Sequence, residues 1–227
     1  MIQSIRQALA EVLDLGGPVV AVLIAVSILT TGVVLYKIWQ FRQAGVGRHK
    51  ALQAATRAWD AGDRAQAAAR LATSTSYLAP TFRMAMTHRE TADIRQRVEA
   101  ETEARFAILE RGFRLLDSVA QLAPLLGLFG TVLGMIEAFQ SLQSAGSQVD
   151  PSLLAGGIWV ALLTTAVGLG VAMPTSVILS WLESRMASER ILAERGLATI
   201  LTPAGSPAPE EWTPHEQPIR RPAIHGA

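Results

Sequence analysis

Three threonines and one glutamate are the residues of this chain placed to handle a proton or a polar partner in apolar surroundings. Thr131 lies in one apolar run, which Glu137 bounds, and Thr164 and Thr165 lie in the next. A hydroxyl can hydrate a path or bond a partner's carboxyl group, and it can equally bond a carbonyl one turn back in its own helix. Glu137 closes the outer end of its run and suits the mouth of such a path. What the runs lack is as informative: residues 18–36, 118–136 and 153–182 contain no Asp, Glu, Lys, Arg or His. An intramembrane ionisable residue is the usual requirement of a proton relay, so a proton-moving function here needs a partner helix that brings the titrating group.

Other chemistries are excluded by what is missing. The 227 residues include no cysteine, which removes disulfides, thiolate metal sites and cysteine nucleophiles. His49, His88, His215 and His225 lie far apart with no ligand spacing, so no metal site is expected. Ser, His and Asp do not cluster in any apolar run, which argues against an intramembrane hydrolase, and no enzyme activity or cofactor is expected. The net charge of +1 offers no basic patch for nucleic acid.

The elements that must position these residues are membrane helices. Half of the chain is hydrophobic and 17% charged, against about 25% charged in ordinary soluble domains. Residues 18–36 are 19 without a charge, and at about 1.5 Å each they match a hydrocarbon core of about 30 Å. The expected organisation is an N-terminal amphipathic segment (1–17), transmembrane helix 1 (18–36), a cytoplasmic helical loop (37–114), transmembrane helix 2 (115–140), a periplasmic hairpin (141–152), transmembrane helix 3 (153–182), a cytoplasmic helix (183–201) and a disordered Pro-rich tail (202–227). Within 37–114 the pattern predicts a helical continuation through Trp59, an Ala-rich helix from about Asp63 to Leu71 and a helix near 77–87. From Glu90, apolar residues at three- and four-residue steps predict one unbroken rod into the second apolar run.

Small residues line both inner helices. Ala120, Ala123, Gly127, Gly130, Gly134 and Ala138 recur three or four apart, as do Ala161, Thr165, Gly168 and Ala172, a spacing that lets helices approach backbone to backbone in lipid. Pro124 and Pro174 mark kinks, tolerated in lipid where neighbours satisfy the freed carbonyls.

Basic residues set the orientation. Lys37, Arg42, Arg48, Lys50 and Arg57 follow the first run, Arg111 and Arg114 precede the second, and Arg185, Arg190 and Arg195 follow the third, whereas the hairpin has neither Lys nor Arg. The N-terminus is therefore expected outside and the C-terminus inside.

The segment Ala123-Pro-Leu-Leu-Gly-Leu-Phe-Gly-Thr-Val-Leu-Gly-Met-Ile136, followed after a short hairpin by Gly156-Gly-Ile-Trp-Val-Ala-Leu-Leu-Thr-Thr-Ala-Val-Gly-Leu-Gly-Val-Ala-Met-Pro174, resembles the MotA/TolQ/ExbB proton-channel family, nearest its ExbB and TolQ branch. Gly16-Gly-Pro-Val19 before the first run is similar to the same branch, and the resemblance covers about residues 16–185. It implies an all-α integral membrane protein of the bacterial inner membrane, its outer side the periplasm, and a homopentamer around a central pore. The pore would hold an ExbD- or TolR-like single-span partner whose membrane Asp carries the proton, with work passed to a TonB- or TolA-like envelope protein. By motif position Thr131 and Thr165 correspond to the family's pore-facing threonines. One position departs from the pattern: Val160 stands where the branch usually has a third-helix Glu, which leaves a second reading open, a non-conducting membrane scaffold that stabilises a single-span partner.

Overall fold

The computed structural model describes residues 2–89, 93–144 and 151–204, with 2–16, 151 and 153 through their backbone alone. Residues 145–150 of the expected hairpin, the Glu90 start of the expected rod and residues 205–227 of the expected tail lie outside the described residues. Every regular element among the described residues is helical: α1 (Ile2–Ala44), α2 (Lys50–Asp60), α3 (Arg64–Ala72), α4 (Ala79–Thr87), α5 (Ile94–Glu110), α6 (Phe113–Ser144) and α7 (Pro151–Leu201). Three helical stretches are long and apolar enough to cross a membrane, Gly17–Ala44, Phe113–Ser144 and Leu154–Leu201.

Glycines break the helices where the chain must change direction. Gly17 interrupts α1 with φ 63 and ψ −165 immediately before Pro18. The expected helical continuation through Trp59 ends at Ala44 instead, because Gly45 (φ 70) and Gly47 (φ 82) adopt the left-handed region. The Val46 amide then bonds back to the Phe41 carbonyl at 3.1 Å, closing the helix end in the manner of a glycine cap.

The rod expected to run from the polar segment into the second membrane helix is two helices. Gly112 at φ 90 and Arg111 at ψ 129 separate α5 from α6. Lys37 of α1 sits in this corner at 2% exposure, and its ammonium donates to the Leu109 carbonyl at 2.9 Å and to Gln40 Oε1 at 2.7 Å. A helix C-terminus favours a cation at its unpaired carbonyls, so α5 ends on a charge from another helix. The sequence pattern did not reveal the break because Gly112 falls between apolar positions that keep helical spacing on either side.

The other long helices persist. α6 passes through Pro124 and α7 through Pro174 as continuous helices, and α7 carries the chain from the membrane segment into the polar domain in 51 residues.

Two cores result. Leu23 of α1, Val119 and Ala123 of α6, and Val171 and Ala172 of α7 form the membrane cluster. The larger core joins α2, α3, α4 and α5 to the second half of α7, with the adjoining ends of α1 and α6, through residues that include Leu52, Leu71, Phe82, Val98, Phe106, Leu182, Met186 and Ile200. The end of α7 is tied to α2 by Trp59 Nε1, which donates to the Ile200 carbonyl at 3.1 Å. Large apolar residues on the outside of the membrane helices, among them Leu125, Phe129, Trp159, Leu162, Met173 and Val177, face away from the single chain.

Candidate functional site in the seam between α6 and α7

The two small-residue stripes meet each other. They run antiparallel: Ala123 and Gly127 lie against Gly168, Gly130 against Thr164, Gly134 against Ala161, and Ala138 against Gly157. A methyl added at Gly130 would stand 2.7 Å from Thr164 Cβ and Oγ1, and one at Gly168 would stand 2.6 Å from the Ala123 carbonyl oxygen. At Gly130 and Gly168 no side chain larger than hydrogen fits unless the facing helix moves, whereas at Gly134 a methyl would meet Ala161 Cβ at 3.2 Å. Ala161 and Ala172 are buried on the same α7 stripe, while Pro174 is exposed.

This closeness lets hydroxyls cross the seam. Thr164, 2% exposed, donates to the Gly127 carbonyl at 3.1 Å and shares its proton with the Ala161 carbonyl one turn back at 2.7 Å. Thr165 is half-buried and donates to the same Gly127 oxygen at 3.3 Å. Gly127 is where two hydroxyls of α7 converge on one backbone oxygen of α6.

The remaining expected residues stand apart from that point. Thr131 is half-buried and donates to Leu128 of its own helix at 2.6 Å, the self-satisfied arrangement open to any helical threonine. Glu137 is exposed near the end of α6, and Val160 is half-buried on α7 one turn before Thr164. Thr131, Thr165 and Glu137 are thus the polar groups that keep access to the surface, while Thr164 is turned into the seam.

A second polar constellation was not anticipated, because its members are scattered in sequence and the histidines showed no pattern. It lies at the far end of α7. Glu189, 2% exposed, receives the Gly47 amide on Oε1 at 2.9 Å and the Tyr77 hydroxyl on Oε2 at 3.1 Å, and pairs with His49 Nε2 at 2.7 Å. His49 Nδ1 lies 3.1 Å from Ser76 Oγ. Burial and the Glu189 carboxylate push the Tyr77 phenol well above its ordinary value of 10.0, which keeps it a donor. The one available signal was Gly45-Val-Gly47, a break that forces the chain beside His49 to turn back onto α7.

Among the described residues no group of three or more metal-capable side chains comes together.

Comparison with known proteins finds a family whose matched stretch contains the seam. The model of the MotA/TolQ/ExbB proton channel family matches residues 67–195, a stretch that includes all of α6 and the greater part of α7. The chain belongs to this family. The MotA/TolQ/ExbB match takes in Thr131, Thr164, Thr165 and Glu189 and leaves Lys37 and His49 outside it. The chain is 40% identical over 111 residues to the putative biopolymer transport protein ExbB-like 1 of Synechocystis, a region that is 48% of this chain and 42% of that protein. It is 48% identical over 63 residues, 28% of each chain, to the biopolymer transport protein exbB1 of Vibrio cholerae. It is 44% identical over 66 residues to the Tol-Pal system protein TolQ of Haemophilus influenzae, covering 29% of this chain and 28% of that one. The matched stretches span 28% to 42% of these three relatives. As an all-α membrane protein of this channel family, the chain is of the ExbB/TolQ-like branch.

Proposed function

We propose that this chain is a non-enzymatic, proton-conducting motor subunit of a bacterial inner membrane that acts only with a partner. The observation carrying this reading is the threonine-bearing, close-packed α6/α7 seam in a chain whose three apolar runs hold no ionisable residue of their own. Such a seam can shape and hydrate a path but cannot bind and release a proton. The missing carboxyl is supplied by an ExbD- or TolR-like single-span helix with a membrane Asp, held in the pore of a homopentamer. Work then passes to a TonB- or TolA-like envelope protein. Likeness to relatives named ExbB and TolQ supports these partners.

In this reading the N-terminus is periplasmic and the α2–α5 domain cytoplasmic, supported by the basic residues that flank the runs on that side. Thr131 and Thr165 line the pathway, Thr164 braces Thr165 through their shared Gly127 carbonyl, and Glu137 stands at the outer mouth. The test is the rate of pH-gradient decay in liposomes holding the chain with and without an ExbD-like subunit. Flux that requires the partner and is lost on Thr165→Val supports conduction; equal flux from the chain alone overturns it.

Val160 favours a second reading, a scaffold that holds the partner without conducting, since an apolar residue replaces the branch's usual third-helix Glu. A scaffold predicts that Thr131→Val and Thr165→Val proteins still capture the partner and still support the envelope process in cells.

A further inference from the structure

Glu189 lies 25 residues beyond Thr164 on the same uninterrupted helix. At about 3.6 residues per turn that is about seven turns, so the two side chains leave α7 on nearly the same face, about 38 Å apart along the axis. Between them the buried stripe is apolar or satisfied within α7. Val171, Ala172, Leu179, Leu182 and Met186 are packed hydrophobes, and the Thr175 hydroxyl donates to its own Val171 carbonyl at 2.7 Å. Apolar contact is non-directional, so it leaves rotation and sliding of a long helix weakly specified. Hydrogen bonds are directional and weaken steeply out of line.

The alignment of α7 is therefore fixed at its two ends. In the membrane, Thr164 and Thr165 reach Gly127; in the polar domain, the Glu189 carboxylate is held by donors from two loops, Gly47 and His49 before and at the start of α2 and Tyr77 before α4. Arg190 adds bridges to Glu103 and Glu110, but these are partly exposed and such pairs contribute little. A buried polar cluster is itself a weak source of stability compared with apolar residues of similar volume. Together with the Trp59 bond to the Ile200 carbonyl further along the helix, Glu189 and His49 set the rotation and height of α7 in the polar domain.

We propose that Glu189, together with His49, is a positioning residue for the proton pathway: it seats α7 so that Thr164 and Thr165 meet Gly127. The effect on flux rests on the conduction reading above; the effect on alignment does not.

The cysteine-free chain allows a direct test, since Gly134→Cys with Ala161→Cys on the full-length protein reports α6/α7 alignment through the rate of oxidative cross-linking. In that background, Glu189→Leu with His49→Leu is expected to slow cross-linking about tenfold, because disulfide geometry is specific, with helicity retained and the melting temperature lowered by the unpaired Gly47 and Tyr77 donors. Glu189→Gln keeps an acceptor for Gly47 or Tyr77 and is expected to retain most of the rate. Cross-linking at the parent rate in the double-leucine protein overturns the proposal. Should that protein lose helicity, Glu189→Gln with Tyr77→Phe, which removes the charge and a donor but little volume, is judged by the same criterion.

Partner-dependent flux is then measured without the cysteines. A fall of about tenfold or more is expected in the double-leucine protein, with Glu189→Gln partly restoring it, and unchanged flux overturns the role in the pathway. Absence of flux in the parent counts against conduction alone, and the cross-linking rate still decides the joint.

Discussion

Thr164 of α7 donates its hydroxyl to the Gly127 carbonyl of α6 at 3.1 Å, a bond that exists only because Gly127 and Gly130 bring the two backbones together. Interhelical hydroxyl bonds of this kind contribute about 0.6 kcal/mol on average and up to about 1.7. Thr164→Val is expected to destabilise the solubilised protein by that order, with Thr164→Ser close to the parent. Denaturation in mixed micelles measures both.

Gly130 sits where a methyl would meet Thr164 at 2.7 Å, whereas a methyl at Gly156 would meet nothing within 4 Å. Gly130→Ala is expected to cost about 1–3 kcal/mol through overpacking. Gly156→Ala is expected to be neutral or stabilising by up to about 1 kcal/mol, since alanine is the better helix former. Equal melting temperatures for the two variants would contradict the seam as described.

Lys37 holds the end of α5 from α1. Lys37→Met keeps the apolar stem near Phe113 but removes the donor to Leu109, and leaving that carbonyl unpaired is expected to cost about 1–3 kcal/mol. The loss belongs to the α5–α6 corner, so amide exchange is expected to quicken around residues 106–113 before it does in the α6/α7 seam.

Tyr77 carries a pH dependence whose sign follows from its raised pKa. The folded protein keeps the phenolic proton where the unfolded chain has lost it, so unfolding releases a proton. This contribution is full below about pH 10, the unfolded value, and declines as pH rises beyond it. Tyr77→Phe is expected to flatten the drop in melting temperature from about pH 9 to 11. A drop of the same size in both proteins would show that burial and Glu189 do not hold the phenol protonated.

The helical class, the three apolar runs and the two small-residue stripes were legible in the sequence, because each depends on local composition and a fixed helical period. The resemblance carried by residues 123–136 and 156–174 was legible for the same reason. Gly112 escaped notice because one glycine between correctly spaced apolar residues does not disturb periodicity, and the break is secured by Lys37, 75 positions earlier in the chain. The ends of the helices near residues 45–47 were misjudged for a related reason: the turn needs glycine, but only the surface of α7 gives the chain cause to turn there.

Sequence by itself determined that this chain spans a membrane without bringing a charge into it, since the hydrocarbon core acts on every residue of a run alike. Only the tertiary structure decided which polar groups serve the seam. Thr131 and Thr164 share a residue type and comparable apolar surroundings and both bond a carbonyl of their own helix, yet only Thr164 also reaches across to Gly127, a difference set by which face of each helix the partner covers. Glu189 and His49 likewise became a pair only when two loops folded back on α7, because a buried carboxyl group requires partners within hydrogen-bond reach.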